Sequence, residues 1–158
     1  IADAGILVMG HIGLTPQSSG VLGGFKAQGR DPKSAKDLIL DARAIEEAGA
    51  FALLLEAVPP ELTGFIAKDL SIPVYSIGAG APCDGQLLIC GDMLGLFQAF
   101  TPKFVKKYAN VAEVEINAFK AFVEDVKTGK FPEDQHCYHI LPETAEEYQK
   151  MLDELKRK

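Results

Sequence analysis

The chain has 158 residues and a formal net charge of −6, with 47% hydrophobic and 24% charged residues. That balance suits an ordinary globular domain and excludes a disordered chain. Its acidity argues against a nucleic-acid surface, because the only dense basic cluster is Lys156, Arg157 and Lys158 at the very end. No apolar run comes near the ~18 residues of a membrane span. The opening stretch carries Asp3 and lacks the basic region of a secretory signal. It also lacks an initiator Met, which suggests a native start further upstream. The three cysteines, Cys83, Cys90 and Cys137, form no CxxC pair, so a reducing compartment, the cytoplasm, is expected rather than a disulfide framework.

In chain order, the apolar run at residues 6–9 predicts a first strand, ended by Gly10. Residues 10–30 hold Gly13, Pro16, Gly20, Gly23, Gly24 and Gly29, too much glycine for an element interior, and predict a long ordered loop. Ser34 is the expected cap of a helix whose apolar face is Ala35, Leu38, Ile39, Ala42 and Ile45, with Gly49 just past its end. Residues 51–55 form an entirely apolar strand closed by Glu56. Pro59 and Pro60 then open a helix that runs to about Leu70. Residues 73–77 and 86–90 read as two further strands, the first followed by Gly78, Ala79 and Gly80. Strands that are apolar throughout, alternating with amphipathic helices, predict a parallel sheet covered on both faces, an α/β fold of consecutive barrel strands.

Beyond that the pattern is helical. Asn110 and Glu113 are spaced as a capping box. Val111, Val114, Ala118, Phe119, Phe122 and Val126 line one helix, ended by Gly129. A last helix begins near Pro142, with a narrow stripe of Tyr148, Met151, Leu152 and Leu155, read as docking surface on its own domain or on a neighbouring subunit. The expected division is residues 1–109, a set of barrel units, and residues 110–158, C-terminal helices. A complete (β/α)8 barrel needs ~250 residues. About four βα units are present, so an N-terminal half is expected from a separate chain or from upstream sequence.

Two side chains stand at expected strand ends. Glu56 closes an apolar strand at its carboxyl end, where active sites of parallel α/β folds lie, and a carboxylate beside an apolar core can serve as a general base. The alternative is a solvated residue or an arginine partner. His11, after the first strand, can donate to a substrate oxygen or relay a proton; the alternative is a histidine satisfied by loop carbonyls. The loops GHIGLTPQSSG and GAGAPCDG expose backbone N–H groups that suit an anion, but neither is a phosphate-binding fingerprint. In QHCYH, His136, Cys137 and His139 are residue types that zinc could use, but their spacing is crowded and no fourth ligand is evident. Cys83 and Cys90 read as small buried residues rather than nucleophiles, and there is no serine elbow.

Taken together, GHIGLTPQS from Gly10, GGFKAQGR from Gly23, LLLEAVP from Leu53, PVYSIGAG from Pro73, DGQLLICGDMLG from Asp84, PKF at Pro102 and FPEDQH from Phe131 resemble the ketopantoate hydroxymethyltransferase family. The strings occur in the family's order and spacing over nearly the whole chain. The last helix, from Pro142, looks like an extension of some members only. The resemblance implies a (β/α)8 TIM-type barrel of which this chain supplies the last four βα units. It implies transfer of a hydroxymethyl group from 5,10-methylenetetrahydrofolate to 3-methyl-2-oxobutanoate, with Mg²⁺, in a homo-oligomer, commonly a decamer. Carried over by position, Glu56 matches the proposed catalytic base and His11 the histidine that contacts the keto acid. The family's metal-binding aspartates and substrate lysine belong to the N-terminal half, so no metal ligand is assigned here, and folate contacts are not assigned. Two other readings stay open: a metal-dependent 2-oxo acid lyase on a related barrel, and a non-catalytic half-barrel that only binds or assembles.

Overall fold

The computed structural model describes residues 1–18, 20 and 24–156. The chain divides into two compact units, Ile1–Ala112 and Glu113–Lys158. Arg157 and Lys158 of the basic cluster, and Gly23 and Ser19 of the glycine-rich stretch, lie outside the described residues.

The first unit is built on a four-stranded parallel sheet in the order β1-β2-β3-β4, with β1 Met9–Gly13, β2 Ala52–Glu56, β3 Val74–Ile77 and β4 Gly85–Gln86. Helix α1 (Pro32–Glu47) connects β1 to β2, α2 (Pro60–Asp69) connects β2 to β3, and a single turn, α3 (Cys90–Met93), follows β4. The sheet is thus α/β and parallel, as four consecutive units of a barrel would be.

Three expected elements sit differently. The first strand is shifted to Met9–Gly13, while Ile6 and Leu7 are exposed. Pairing decides this: β1 runs in register with β2 from Met9↔Ala52 to Gly13↔Glu56, and an apolar run without a partner strand does not become one. Gly13 makes the last pair geometrically feasible. It has φ +91°, and a Cβ there would lie 2.3 Å from the Glu56 carbonyl oxygen. The cap of α1 is Asp31, not Ser34. Pro32 occupies the first helical position, so the capping side chain must precede it, and Asp31 Oδ1 accepts from the N–H groups of Lys33 and Ser34 (3.1 and 3.0 Å). The fourth strand is only Gly85–Gln86. The chain turns at Ile89 into α3, whose Met93 N–H donates to the Ile89 carbonyl (2.9 Å). Cys90 is therefore exposed instead of buried, while Cys83 packs partly buried against the core.

The sheet has two faces. On one, Leu53, Leu55 and Val74, all at 0% exposure, pack against Leu38 and Ala42 of α1 and Leu62 and Ile66 of α2. Alternation along each strand puts His11, Leu54, Glu56, Tyr75 and Ile77 on the other face. The helix-covered face is the hydrophobic anchor; the second face carries His11 and Glu56.

α4 (Val111–Thr128), whose residues from Glu113 on belong to the second unit, and α5 (Ala145–Glu154) of that unit form as the apolar spacing predicts. Their stripe residues, among them Phe119, Phe122 and Leu155, are exposed. Phe131 packs edge-on against Phe122, centroids 5.5 Å apart. Among the described residues no helix is long and apolar enough to cross a membrane.

Because Leu53 is fully enclosed between sheet and helices, Leu53→Ala leaves a cavity. A loss of about 2–5 kcal/mol is expected, read as a shift in the urea midpoint of the full-length protein with an unchanged slope.

Candidate active site

Glu56 is the last residue of β2, at the carboxyl edge of the sheet, and is 9% exposed. Its backbone is tied on both sides. The carbonyl accepts from the Leu14 N–H of the segment after β1 (2.8 Å), and the next residue, Ala57, donates its N–H to the Ile77 carbonyl of β3 (3.0 Å). Ala57 has φ +50°, a left-handed conformation that a residue with a Cβ rarely adopts. Its carbonyl accepts from the Gln28 N–H (3.0 Å). The turn that leaves Glu56 at the rim is therefore held by its neighbours against its own conformational preference.

His11 lies within β1 and not in the loop after it, because the strand begins later than the apolar run suggests. Its register partner is Leu54, two residues before Glu56, so the imidazole and the carboxylate share one face of adjacent strands. Nε2 of His11 is 3.1 Å from Oε2 of Glu56. The ring N–H does not point along that line. The contact is one of charge and dipole, and Nε2 is buried without a hydrogen-bond partner among the described residues. Burial pushes the Glu56 carboxyl above the ordinary glutamate range; the imidazole pulls the other way and does not cancel it.

Glu56 lines a cleft of about 880 Å³ at the carboxyl ends of the strands, the size of a small-molecule site. Leu14, Val58, Ile77, Gly78 and Phe104 are among its apolar lining. Gly78 has φ +69°, and a Cβ there would meet the Phe104 ring at 2.4 Å, so glycine is what lets this ring lie against the end of β3. Gly80 of the same loop lines a neighbouring, more open hollow.

The QHCYH segment is occupied by local contacts. His136 Nδ1 accepts from the Glu133 N–H (3.2 Å), and His139 pairs with Asp134 (3.0 Å). Among the described residues no group of three or more His, Cys, Asp and Glu side chains converges to hold a metal ion. The described residues therefore offer no set of ligands that would by itself hold the Mg²⁺ that the family resemblance implies.

A family model for ketopantoate hydroxymethyltransferase matches residues 1–134. The chain belongs to the ketopantoate hydroxymethyltransferase family. It is 71% identical over 156 residues to a 3-methyl-2-oxobutanoate hydroxymethyltransferase of Alkaliphilus metalliredigens, covering 99% of this chain and 55% of that protein. Proteins of the same name from Enterococcus faecalis and Clostridium novyi are 54% and 56% identical, over 92% and 89% of this chain and 53% and 51% of theirs. The chain spans about half the length of the curated relatives it matches. Residues that positional reasoning missed are those whose role is purely geometric, such as Ala57, and those that reach the cleft from after β4, such as Asp92 and Phe104. No spacing signal marks them.

In the folded protein the Glu56 carboxyl is expected to titrate above the ordinary glutamate range, and further above it in His11→Ala, where the opposing imidazole is gone. Carbon-detected NMR of labelled glutamate side chains checks both directions. Because folding favours its protonated form, this group on its own favours the fold below the unfolded pKa. That contribution is lost as pH rises through the folded value.

Proposed function

We propose that this chain is the C-terminal half of a (β/α)8 enzyme that transfers a hydroxymethyl group from 5,10-methylenetetrahydrofolate to 3-methyl-2-oxobutanoate, giving ketopantoate and tetrahydrofolate. One observation carries the reading: a buried carboxylate with a raised pKa, at the carboxyl edge of a parallel sheet, 3.1 Å from an imidazole and opening into a substrate-sized cleft. Glu56 takes the weakly acidic C3 proton of the keto acid, and its raised pKa brings it closer to the working range of a general base. His11, with Nε2 lacking a hydrogen-bond partner, donates to a substrate oxygen and holds C3 within reach of the carboxylate. C3 then bonds to the one-carbon unit. The water that the overall reaction consumes supplies the oxygen of the new hydroxyl group, and the folate leaves as tetrahydrofolate.

The rest of the protein completes the barrel. The chain spans about half of its relatives, and among the described residues β1 and β4 each pair on one side only. A half-barrel would leave those edges and the face bearing His11 and Glu56 open. The exposed apolar stripes of α4 and α5 support a homo-oligomer, a decamer by family resemblance. Three free thiols and membership of a biosynthetic family support the cytoplasm.

In the full-length protein supplied with Mg²⁺, exchange of the C3 proton of 3-methyl-2-oxobutanoate into D₂O should fall about 10²–10⁴-fold in Glu56→Gln. Proton NMR of the substrate reads it, and undiminished exchange would remove Glu56 from the role of base. Product formation should require the folate, whereas folate-independent carbon–carbon cleavage would point to a lyase. The isolated 158-residue chain should exchange the proton far more slowly than the whole protein.

A further inference from the structure

Among the described residues with a positive φ, nine are glycine and one, at φ +50°, is Ala57. An L residue is disfavoured in that conformation because its Cβ crowds the backbone, whereas glycine adopts it freely. The exception directly follows Glu56 and lines the same cleft. Its turn is fastened on every side. Glu56 before it accepts from the Leu14 N–H (2.8 Å), and Ala57 itself donates to the Ile77 carbonyl of β3 (3.0 Å). The Ala57 carbonyl accepts from the Gln28 N–H (3.0 Å). Gln28 belongs to a segment with bonds of its own: its side-chain amide donates to the Lys26 carbonyl, and the Lys26 N–H to the Gly24 carbonyl (both 2.9 Å). Lys26, Ala27 and Arg30 of that segment line the cleft.

A disfavoured backbone persists only where its surroundings over-determine it. Once φ is positive, a Cβ also does something that glycine cannot. An L residue then has one small basin, with φ about +50 to +70° and ψ about +30 to +60°, while glycine ranges much more widely. The Ala57 methyl therefore holds the turn to one conformation and the preceding peptide to one orientation. A swing of that peptide would move the Glu56 carboxyl relative to His11 Nε2, which lies 3.1 Å away. We propose that Ala57 is a positioning residue, whose Cβ locks the left-handed turn that aims Glu56 into the cleft and registers the segment bearing Lys26 and Arg30 against it. The inference rests on the hydroxymethyl-transfer reading for what Glu56 does. It adds a residue that acts on the rate through another side chain, without touching the reacting atoms.

The test uses the full-length protein with Mg²⁺ and compares Ala57→Gly, which removes the Cβ, with Ala57→Ser, which keeps it. Glycine adopts the turn without strain, so Ala57→Gly should fold with a urea midpoint near that of the wild type. Its kcat for C3 proton exchange should nevertheless fall about tenfold, because the base is no longer held in place. The KM for the keto acid should stay the same, since His11 is untouched. The Glu56 carboxyl, freer to reach water, should titrate closer to the ordinary glutamate range, read by carbon-detected NMR. Ala57→Ser should keep the wild-type values of all three. Exchange at the wild-type rate in Ala57→Gly would overturn the assignment. So would an equal fall in Ala57→Ser, or a loss carried by KM alone, which would put the methyl on the substrate. If the wild-type protein exchanges no C3 proton, the hydroxymethyl-transfer reading fails and the Glu56 titration decides. A midpoint lowered in Ala57→Gly and kept in Ala57→Ser then upholds the positioning role, and an unmoved one overturns it.

Discussion

The arrangement depends on keeping one carboxylate out of water at the rim of a parallel sheet. Glu56 ends a strand whose preceding residues are almost wholly enclosed, so the chain cannot carry its side chain far from the core edge without unpacking Leu53 and Leu55. Burial raises the energy of the charged form, and the neighbouring imidazole offsets part of that cost without removing it. A carboxylate in that balance is poised to accept a proton. The same group in full solvent would be a weak base, and one locked in an aligned ion pair would be weaker still. His11 Nε2 stays close to the carboxylate, at 3.1 Å, without a hydrogen-bond partner among the described residues.

That geometry is secured by backbone and not by side-chain packing alone. Gly13 brings β1 close enough to the Glu56 carbonyl for the Leu14 amide to bind it. Ala57 is held in a left-handed turn by hydrogen bonds to β3 and to the segment before α1. Gly78 gives Phe104 its place at the end of β3. Three strand ends thus converge on one cleft, which is where parallel α/β sheets place their chemistry.

Much of this was readable in advance. The fully apolar run before Glu56 meant a strand buried on both sides, and its end put Glu56 at the carboxyl edge of the sheet. The helices α1 and α2 followed from 3.6-residue periodicity and from proline at their first positions. What misled was the start of β1 and the length of β4, because short apolar runs carry no information about a partner strand. Ile6 and Leu7 are as apolar as a strand requires, yet pair with no strand among the described residues, while Gly85–Gln86 pairs briefly with β3 before local hydrogen bonds turn the chain into α3.

Sequence by itself settled the class of fold and the family, because periodicity is a local property and the motif strings keep their order and spacing. It also singled out Glu56 and His11. Tertiary structure alone decided that these two touch, that the carboxyl group is buried enough for its acidity to shift, and that Asp92 and Phe104, some forty residues downstream, line the same cleft. Distance along the chain says nothing about distance across a sheet. Only strand register and the turns at its carboxyl edge turn the one into the other.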